Sequence, residues 1–340
     1  MKQNCRQQGR LALLCSTLLF LPIACTDVPL SEAQSPAVEI SNSTDIQSEL
    51  NRPNILLIVA DDMGYSDIGA FGGEIETPNL DALADSGVKF TQFYAASTCS
   101  PSRAMLLSGV DNHLAGLGTM RELMLPNQEG QPGYEGYLNH RVVSIATLLQ
   151  SSGYHTYMTG KWHLGLEEHS SPSARGFEKT FALLHGGANH FDMRGLETRD
   201  PIAEFRENGR LLDELPDEYG YSSNFYTQRI IDHISSNQND KRPFFAYLAF
   251  TAPHWPLQAP SEYIEKYRGR YDSGYEILRE QRLQGLKERG VVASNVKLPP
   301  LPESIKPWSE LSVDQKNTEA RKMEIYAACR ALRLGKYPLQ

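Results

Sequence analysis

One stretch of the sequence decides the fold: Asn54-Ile55-Leu56-Leu57-Ile58-Val59-Ala60-Asp61-Asp62. Its unbroken apolar run is typical of a strand buried on both faces of an α/β sheet, and two carboxylates follow it at once. The same form recurs in residues 154–159, followed by Gly160-Lys161-Trp162-His163, and in residues 244–250, followed by Thr251-Ala252-Pro253-His254. The sequence therefore predicts three strands that each end in polar, reactive side chains.

Helical patterns separate these strands. Pro78 opens one at its first helical position, and Gly87 closes it. Residues 142–151 and 224–235 carry two more. Strands that alternate with helices predict an α/β fold, a mixed, mainly parallel sheet flanked by helices, whose ligands bind at the carboxyl ends of the strands. We therefore expect the reactive side chains to meet at one edge.

A fourth reactive group lies in Cys99-Ser100-Pro101-Ser102-Arg103. Pro101 can start a helix that ends at Gly109, which places Cys99 at the helix N-terminus, where free N–H groups favour negative charge. Arg103 follows one turn later on the same side. A helix-capping loop with a buried cysteine would show the same pattern, so this motif alone leaves both interpretations open.

The run from Cys99 to Gly109 resembles the signature of the type I sulfatases, in the alkaline phosphatase superfamily. Other segments resemble the family in the same order: Pro53-Asn54-Ile55 with Asp61-Asp62-Met63-Gly64, Thr77-Pro78-Asn79-Leu80-Asp81, Gly160-Lys161-Trp162-His163-Leu164-Gly165, and Ala252-Pro253-His254-Trp255-Pro256. The likeness extends over residues 52–328 and is closest in appearance to bacterial arylsulfatases of the Pseudomonas type. It implies an alkaline-phosphatase-like fold and the N-terminal portion of a sulfatase catalytic domain.

The resemblance implies that a maturation enzyme oxidises Cys99 to formylglycine, an aldehyde. Its hydrate has two hydroxyls on one carbon. One can attack the sulfur of a small-molecule sulfate ester, and the other can lose its proton and expel sulfate. A serine would trap the ester, and an unmodified thiol would be nearly inactive. The expected reaction turns aryl or alkyl sulfate esters into an alcohol and inorganic sulfate.

By the same resemblance, Asp61, Asp62 and the modified Cys99 are ligands of Ca²⁺, which prefers oxygen donors. In isolation, an Asp-Asp pair at a strand end is more often a helix cap or a solvated turn. Because the same chain carries the cysteine signature, metal binding becomes the favoured interpretation of this pair. The metal site is therefore a prediction that depends on Cys99.

Four further side chains complete the predicted site. Arg103 matches the arginine that steadies the formylglycine and the metal ligands, and Lys161 and His254 match residues that bind sulfate oxygens. His254 is also the expected proton donor to the leaving oxygen, and His163 the expected base for sulfate release. A surface lysine and structural histidines are the alternatives. Three weaker candidates could line the substrate mouth, although loop histidines are the favoured interpretation: His113, His185 and His190.

The chain departs from the family near its C-terminus. The residues Met323-Glu324-Ile325-Tyr326-Ala327-Ala328 look like the start of the next family helix, and residues 329–340 lose the likeness as an aberrant tail. The Asp-Asn pair that completes the family's calcium site is absent, as is a downstream lysine, although Ca²⁺ takes 6–8 oxygens. We expect a C-terminal truncation or frameshift that leaves the fold incomplete. A divergent C-terminus is the alternative, and an inactive sulfatase fragment is an alternative function.

The N-terminus predicts export. A basic region with Lys2, Arg6 and Arg10 precedes an apolar stretch at 11–23, as in a signal peptide over residues 1–25. Cys25 stands where a bacterial lipoprotein would be lipidated and attached to the membrane. Ordinary cleavage or a buried helix would be alternatives. Residues 26–51 read as a flexible tether, and the expected location is the periplasm or a membrane-anchored lipoprotein.

Composition excludes one class of partner. The 340 residues include 33 Lys plus Arg and 41 Asp plus Glu, for a net charge of −8, which argues against nucleic-acid binding. Five cysteines, three of them in the signal region, make no disulfide framework. A phosphatase, phosphodiesterase or phosphonate hydrolase of the same superfamily stays open as the alternative enzyme, because related hydrolases share the Cys-x-Pro-x-Arg motif.

Overall fold

The computed structural model describes residues 52–196 and 200–330. The predicted signal peptide with its lipid-accepting Cys25, the tether at 26–51, and residues 331–340 of the predicted tail all lie outside the described residues and stay predictions. Within the described ranges, no helix combines the length and apolarity needed to cross a membrane.

A six-stranded sheet organises the described chain. Its strands are β1 (Ile55–Val59), β2 (His155–Lys161), β3 (Lys179–Leu183), β4 (Phe205–Glu207), β5 (Arg210–Leu211) and β6 (Phe244–Ala249). The spatial order is β1-β6-β2-β3-β4-β5. β1, β6, β2 and β3 are parallel to one another, β4 is antiparallel to β3, and β5 is antiparallel to β4. The prediction of a mixed, mainly parallel sheet is confirmed.

Both faces of the sheet are covered by apolar side chains. On the central strand β6, Phe245 and Tyr247 belong to one core cluster, and Ala246 and Leu248 belong to the other. This follows from the strand's period of two, which sends alternate side chains to opposite faces. Within residues 52–196 and 200–330, seven α-helices accompany the sheet: α1 (Pro78–Ser86), α2 (Cys99–Ser108), α3 (Ile145–Ser151), α4 (Ser222–Ser235), α5 (Ser261–Glu265), α6 (Tyr275–Glu288) and α7 (Val313–Arg330). Helices α2 and α3 pack on the first face, and α4 packs on the second.

The expected burial of β1 on both faces is wrong. Among the described strands, β1 lies at one end of the order and pairs with β6 alone, and its Leu56 is 40% exposed. Beside it, residues of α1 and of the β1 and β6 ends line an apolar cleft of about 350 Å³. An apolar run alone cannot tell a central strand from an edge strand, because burial depends on which neighbours the sheet receives.

The predicted helix boundaries are close to those observed. The helix predicted at 142–151 begins only at Ile145, because the Ser144 hydroxyl accepts a hydrogen bond from the Thr147 N–H and caps it there. Thr77 precedes α1 as predicted but makes no capping bond of its own, and its hydroxyl accepts instead from the Gly69 N–H.

A third apolar cluster joins α5, α7 and the segment after β6. The helix that the sequence suggested near Met323 begins earlier, at Val313, and continues through Cys329, whose side chain is buried. Cys329 therefore still belongs to the packed fold, although the sequence predicts that the tail starts there.

Helix α6 is attached to the segment that follows β1, because Arg282 pairs with the carboxylates of Asp67 and Glu74.

The exposed β1 edge should promote self-association, because unpaired backbone groups beside apolar side chains can pair with a second strand. Leu56→Lys places a charge on this edge and should lower the associated fraction measured by sedimentation velocity. Leu148→Lys, on the exposed side of α3, is the matched control. Equal association of the two variants and the wild type would show that the edge is not the contact.

Candidate active site

The carboxyl ends of three adjacent strands meet at one edge of the sheet. Because β6 lies between β1 and β2, the residues that follow each of them become neighbours. A hydrogen bond from the Asp61 N–H to the Ala252 carbonyl, 3.2 Å long, ties the segment after β1 to the segment after β6. The predicted convergence of reactive side chains at one edge is present.

Arg103 joins helix α2 to all three strands. Its guanidinium is buried and donates to the Lys161 carbonyl at 2.8 Å, the Tyr247 hydroxyl at 3.1 Å and the Asp61 carboxylate at 3.1 Å. These bonds fix the N-terminal turn of α2, and with it Cys99, against the sheet edge. Their geometry makes Arg103 an anchor of the site.

The Asp61 carboxylate forms ion pairs with two cationic side chains. The Lys161 ammonium, fully buried at the end of β2, lies 2.6 Å from one carboxylate oxygen, and Arg103 contacts the other. Burial by itself would raise the pKa of Asp61, but Arg103 and Lys161 outweigh it and lower that pKa to about 2. Asp61 is therefore ionised at neutral pH, and both of its oxygens are engaged by these two side chains.

Cys99 is the first residue of α2 and carries a free thiol. Its Sγ lies 4.0 Å from the Asp62 carboxylate, whose side chain is 53% exposed. Burial raises the pKa of the Cys99 thiol, and Asp61 and Asp62 add to that effect against Lys161 and Arg103. The thiol is therefore neutral around pH 7 and a weak nucleophile.

His254 follows β6 and faces the same carboxylates. Its Nδ1 lies 2.6 Å from the Trp255 carbonyl, which can only accept, so Nδ1 carries a proton. Its Nε2 lies 3.7 Å from the Asp62 carboxylate. The nitrogen directed to the site is therefore Nε2, which donates only when the ring is protonated.

His163 pairs with a residue that the sequence did not single out. Its Nε2 lies 2.8 Å from the Glu122 carboxylate, and its backbone has a φ of +57°, which is uncommon for a residue with a side chain. Burial, together with Lys161 and Arg103, lowers the pKa of His163 to about 4, although Glu122 opposes this. Burial would raise the pKa of Glu122, but the bond to His163 brings it to about 2. The pair is thus a carboxylate and a neutral imidazole.

A cavity of about 360 Å³ opens beside these groups. The residues that line it come from four loops and the start of α2: Cys99, Met120, Glu122, Leu123, His163, His185, Gly186, Gly187, Leu196, Asp200, His254 and Trp255. Of the three weaker candidates, His185 does line this mouth. His113 lies instead beside Tyr134 and Asp111, and His190 is buried and bonded to Ser222.

The described residues do not fit a complete calcium site. Donor atoms of Asp61, Cys99 and His254 lie within 4.8 Å of one another, but these are one carboxylate, one sulfur and one nitrogen. Asp62 adds a second carboxylate. Two carboxylates fall short of the 6–8 oxygens that Ca²⁺ takes, and Lys161 and Arg103 already engage Asp61.

The comparison with known families agrees with this geometry. The sulfatase family profile matches residues 53–324, which include all seven predicted site residues. The chain belongs to the sulfatase family. Sulfatases in general use a formylglycine and a divalent metal.

Two relatives show how much of the length of other sulfatase-family proteins this chain matches. An uncharacterized sulfatase of Schizosaccharomyces pombe is 49% identical over 291 residues, which cover 83% of this chain and 52% of the relative. The arylsulfatase of Klebsiella aerogenes is 41% identical over 282 residues, which cover 83% of this chain and 60% of the relative. The chain thus spans little more than half the length of these relatives.

Solved structures show the same fold. Ps i-CgsB in complex with k-i-k-neocarrahexaose superposes with a TM-score of 0.55 at 31% identity, over 70% of this chain and 55% of that one. The yidJ protein of Bacteroides fragilis gives a TM-score of 0.57 over 83% of this chain and 56% of that one, and at 18% identity it supports the fold alone. The alkaline-phosphatase-like sulfatase fold is confirmed.

Asp61→Asn should destabilise the chain in a pH-dependent way. The pKa of the carboxyl falls from 3.8 to about 2 on folding, so its ionised form stabilises the fold above about pH 4. This contribution, about 2 kcal/mol, is lost as the pH falls toward 2. Urea unfolding with a chelator present, at several pH values, should show a wild-type advantage that shrinks below pH 4.

The exposed Asp85→Asn is the matched control for that series and should show no comparable difference. A wild-type advantage over Asp61→Asn that stayed constant from pH 7 to the acid limit would contradict the ion-paired state of Asp61.

Proposed function

We propose that this chain carries the nucleophile side of a sulfatase active site that hydrolyses aryl or alkyl sulfate esters to an alcohol and inorganic sulfate. The observation that supports this proposal most strongly is the convergence of three strand ends and the α2 N-terminus on Cys99. A maturation enzyme would convert Cys99 to formylglycine. The half-length overlap with the relatives makes the activity of the whole protein part of this proposal.

The state of Cys99 supports the need for this conversion. A thiol with a raised pKa is mostly protonated at neutral pH, so it is poorly suited to attack an ester. The hydrated aldehyde supplies one hydroxyl for attack on sulfur and a second whose deprotonation releases sulfate. The chain's own residues then have to hold the ester, neutralise its charge and move protons.

Two groups at the sheet edge are suited to hold the sulfate oxygens. The N-terminal turn of α2 begins at Cys99 and has no side-chain cap, and the N–H groups and dipole of a helix N-terminus favour an anion. The Lys161 ammonium donates a hydrogen bond to Asp61 and is fully buried, so it would attract the anion through its positive charge at the sheet edge. Arg103 has the different task of keeping this turn and Lys161 in register.

His254 would protonate the leaving oxygen in this proposal. Because its Nδ1 is committed to the Trp255 carbonyl, its Nε2 is the nitrogen that hands over the proton. The ester's organic group would lie against the apolar part of the cavity wall, where Met120, Leu123 and the 56%-exposed Trp255 are found. Such a wall suits an aryl or alkyl group.

The charge balance favours an added cation. Asp61, Asp62 and Glu122 carry three negative charges, and Arg103 and Lys161 carry two positive ones, so a sulfate ester anion would meet a net negative site. A divalent cation would reverse that sign, and Ca²⁺ is our prediction from the family resemblance. Because the described donors are too few for Ca²⁺, we assign it no step in the reaction.

Coexpression of the full chain with a formylglycine-generating enzyme tests the proposal. Mass spectrometry of the peptide containing Cys99 should show a species about 18 Da lighter than the thiol peptide. The same preparation should hydrolyse an aryl sulfate faster than the matching aryl phosphate, and Cys99→Ala should abolish both signals. Faster phosphate hydrolysis would instead support a phosphatase or phosphodiesterase. A thiol-only peptide without sulfate turnover would support an inactive fragment.

A further inference from the structure

Glu122 is a partly buried carboxylate that pairs with His163 in the site. It lies in the short 3₁₀ turn Arg121–Leu123 of the loop that follows α2, and its side chain is 20% exposed. Its Oε1 is 2.8 Å from His163 Nε2. Because an ionised carboxylate only accepts hydrogen bonds, this contact places the proton of the neutral ring on Nε2.

The other ring nitrogen is then left as an acceptor. His163 Nδ1 is buried and has no hydrogen-bond partner among the described residues. In a neutral imidazole protonated at Nε2, Nδ1 carries the lone pair and can take up a proton. His163 and Cys99 line the same cavity.

The surroundings hold the pair in place. A Cβ at Gly186 would lie 2.8 Å from His163 Cε1 and 2.9 Å from Glu122 Oε1, so a larger residue there would displace one of them. The left-handed backbone of His163 further restricts where its ring can lie. Residue type, backbone and packing all select one ring orientation.

We infer that Glu122 is a positioning residue, whose carboxylate fixes the His163 imidazole in the Nε2-protonated tautomer and leaves Nδ1 as the site's proton acceptor. This inference deepens the proposed function and rests on it for the use made of Nδ1. The arrangement resembles in principle other carboxylate–histidine pairs, in which the carboxylate sets the tautomer of a functional histidine.

The tautomer can be measured without any catalytic activity. Long-range ¹H–¹⁵N spectra of the full chain, with ¹⁵N-labelled histidine and the His163 signals assigned through His163→Asn, report which ring nitrogen carries the proton. Wild type and Glu122→Gln, which keeps an acceptor oxygen, should show the Nε2-protonated form. Glu122→Leu, which removes the acceptor, should show a mixture. An unchanged pattern in a folded Glu122→Leu variant would overturn the inference.

Kinetics supply the second readout. For aryl sulfate hydrolysis, Glu122→Leu should lower kcat about 10- to 100-fold, the usual effect of removing a partner that orients a functional histidine, and KM should change little. Glu122→Gln should recover most of that loss, and Glu129→Leu, at an exposed position of the same loop, should match wild type. An unchanged kcat in Glu122→Leu would overturn the role. A wild-type chain without turnover would refute the sulfatase proposal, while the NMR pattern still tests the positioning of His163.

Discussion

The site depends on one buried carboxylate, Asp61, and on the two cations that hold it. Arg103 reaches it from helix α2, and Lys161 reaches it from β2. A buried ion of this kind is costly unless it is paired, and removal of one partner usually costs several kcal/mol. The pairing therefore fixes the register between two strands and the helix that begins at Cys99.

Most of the other features follow from that register. Parallel strands deliver their polar ends to one edge, and the anchored α2 places its N-terminus there as well. Two residues at this edge, Asp62 and His163, have left-handed backbones, with φ of +63° and +57°. Such conformations cost of order 1–3 kcal/mol and occur where the surrounding structure imposes them. Here they lie just after β1 and β2, where Asp62 approaches Cys99 and His163 pairs with Glu122.

Sequence reasoning could predict the sheet edge because apolar runs followed by reactive residues have a simple physical meaning. It placed Cys99 at a helix start correctly because proline and glycine mark helix ends strongly. It could not predict that β1 is an edge strand, since its composition is the same in either position. Nor could it predict which oxygen of Asp61 each cation would take, because that depends on packing across the sheet.

Glu122 shows a second limit. A glutamate in a polar loop carries no signal of its own in the sequence. Its meaning comes from a contact with His163, 41 residues away in sequence. The weaker histidine candidates illustrate the same limit, because only contacts distinguish His185, at the cavity, from His113.

The central claim is that position 99 supplies the atom that attacks sulfur. Cys99→Ser offers a hydroxyl for that attack but has no second hydroxyl to release sulfate. Incubated with an aryl sulfate, this variant should release one equivalent of the phenol and then stop, and the peptide containing position 99 should gain the mass of one sulfonate group. Sustained turnover by Cys99→Ser, or sulfonation at a different residue, would contradict the account.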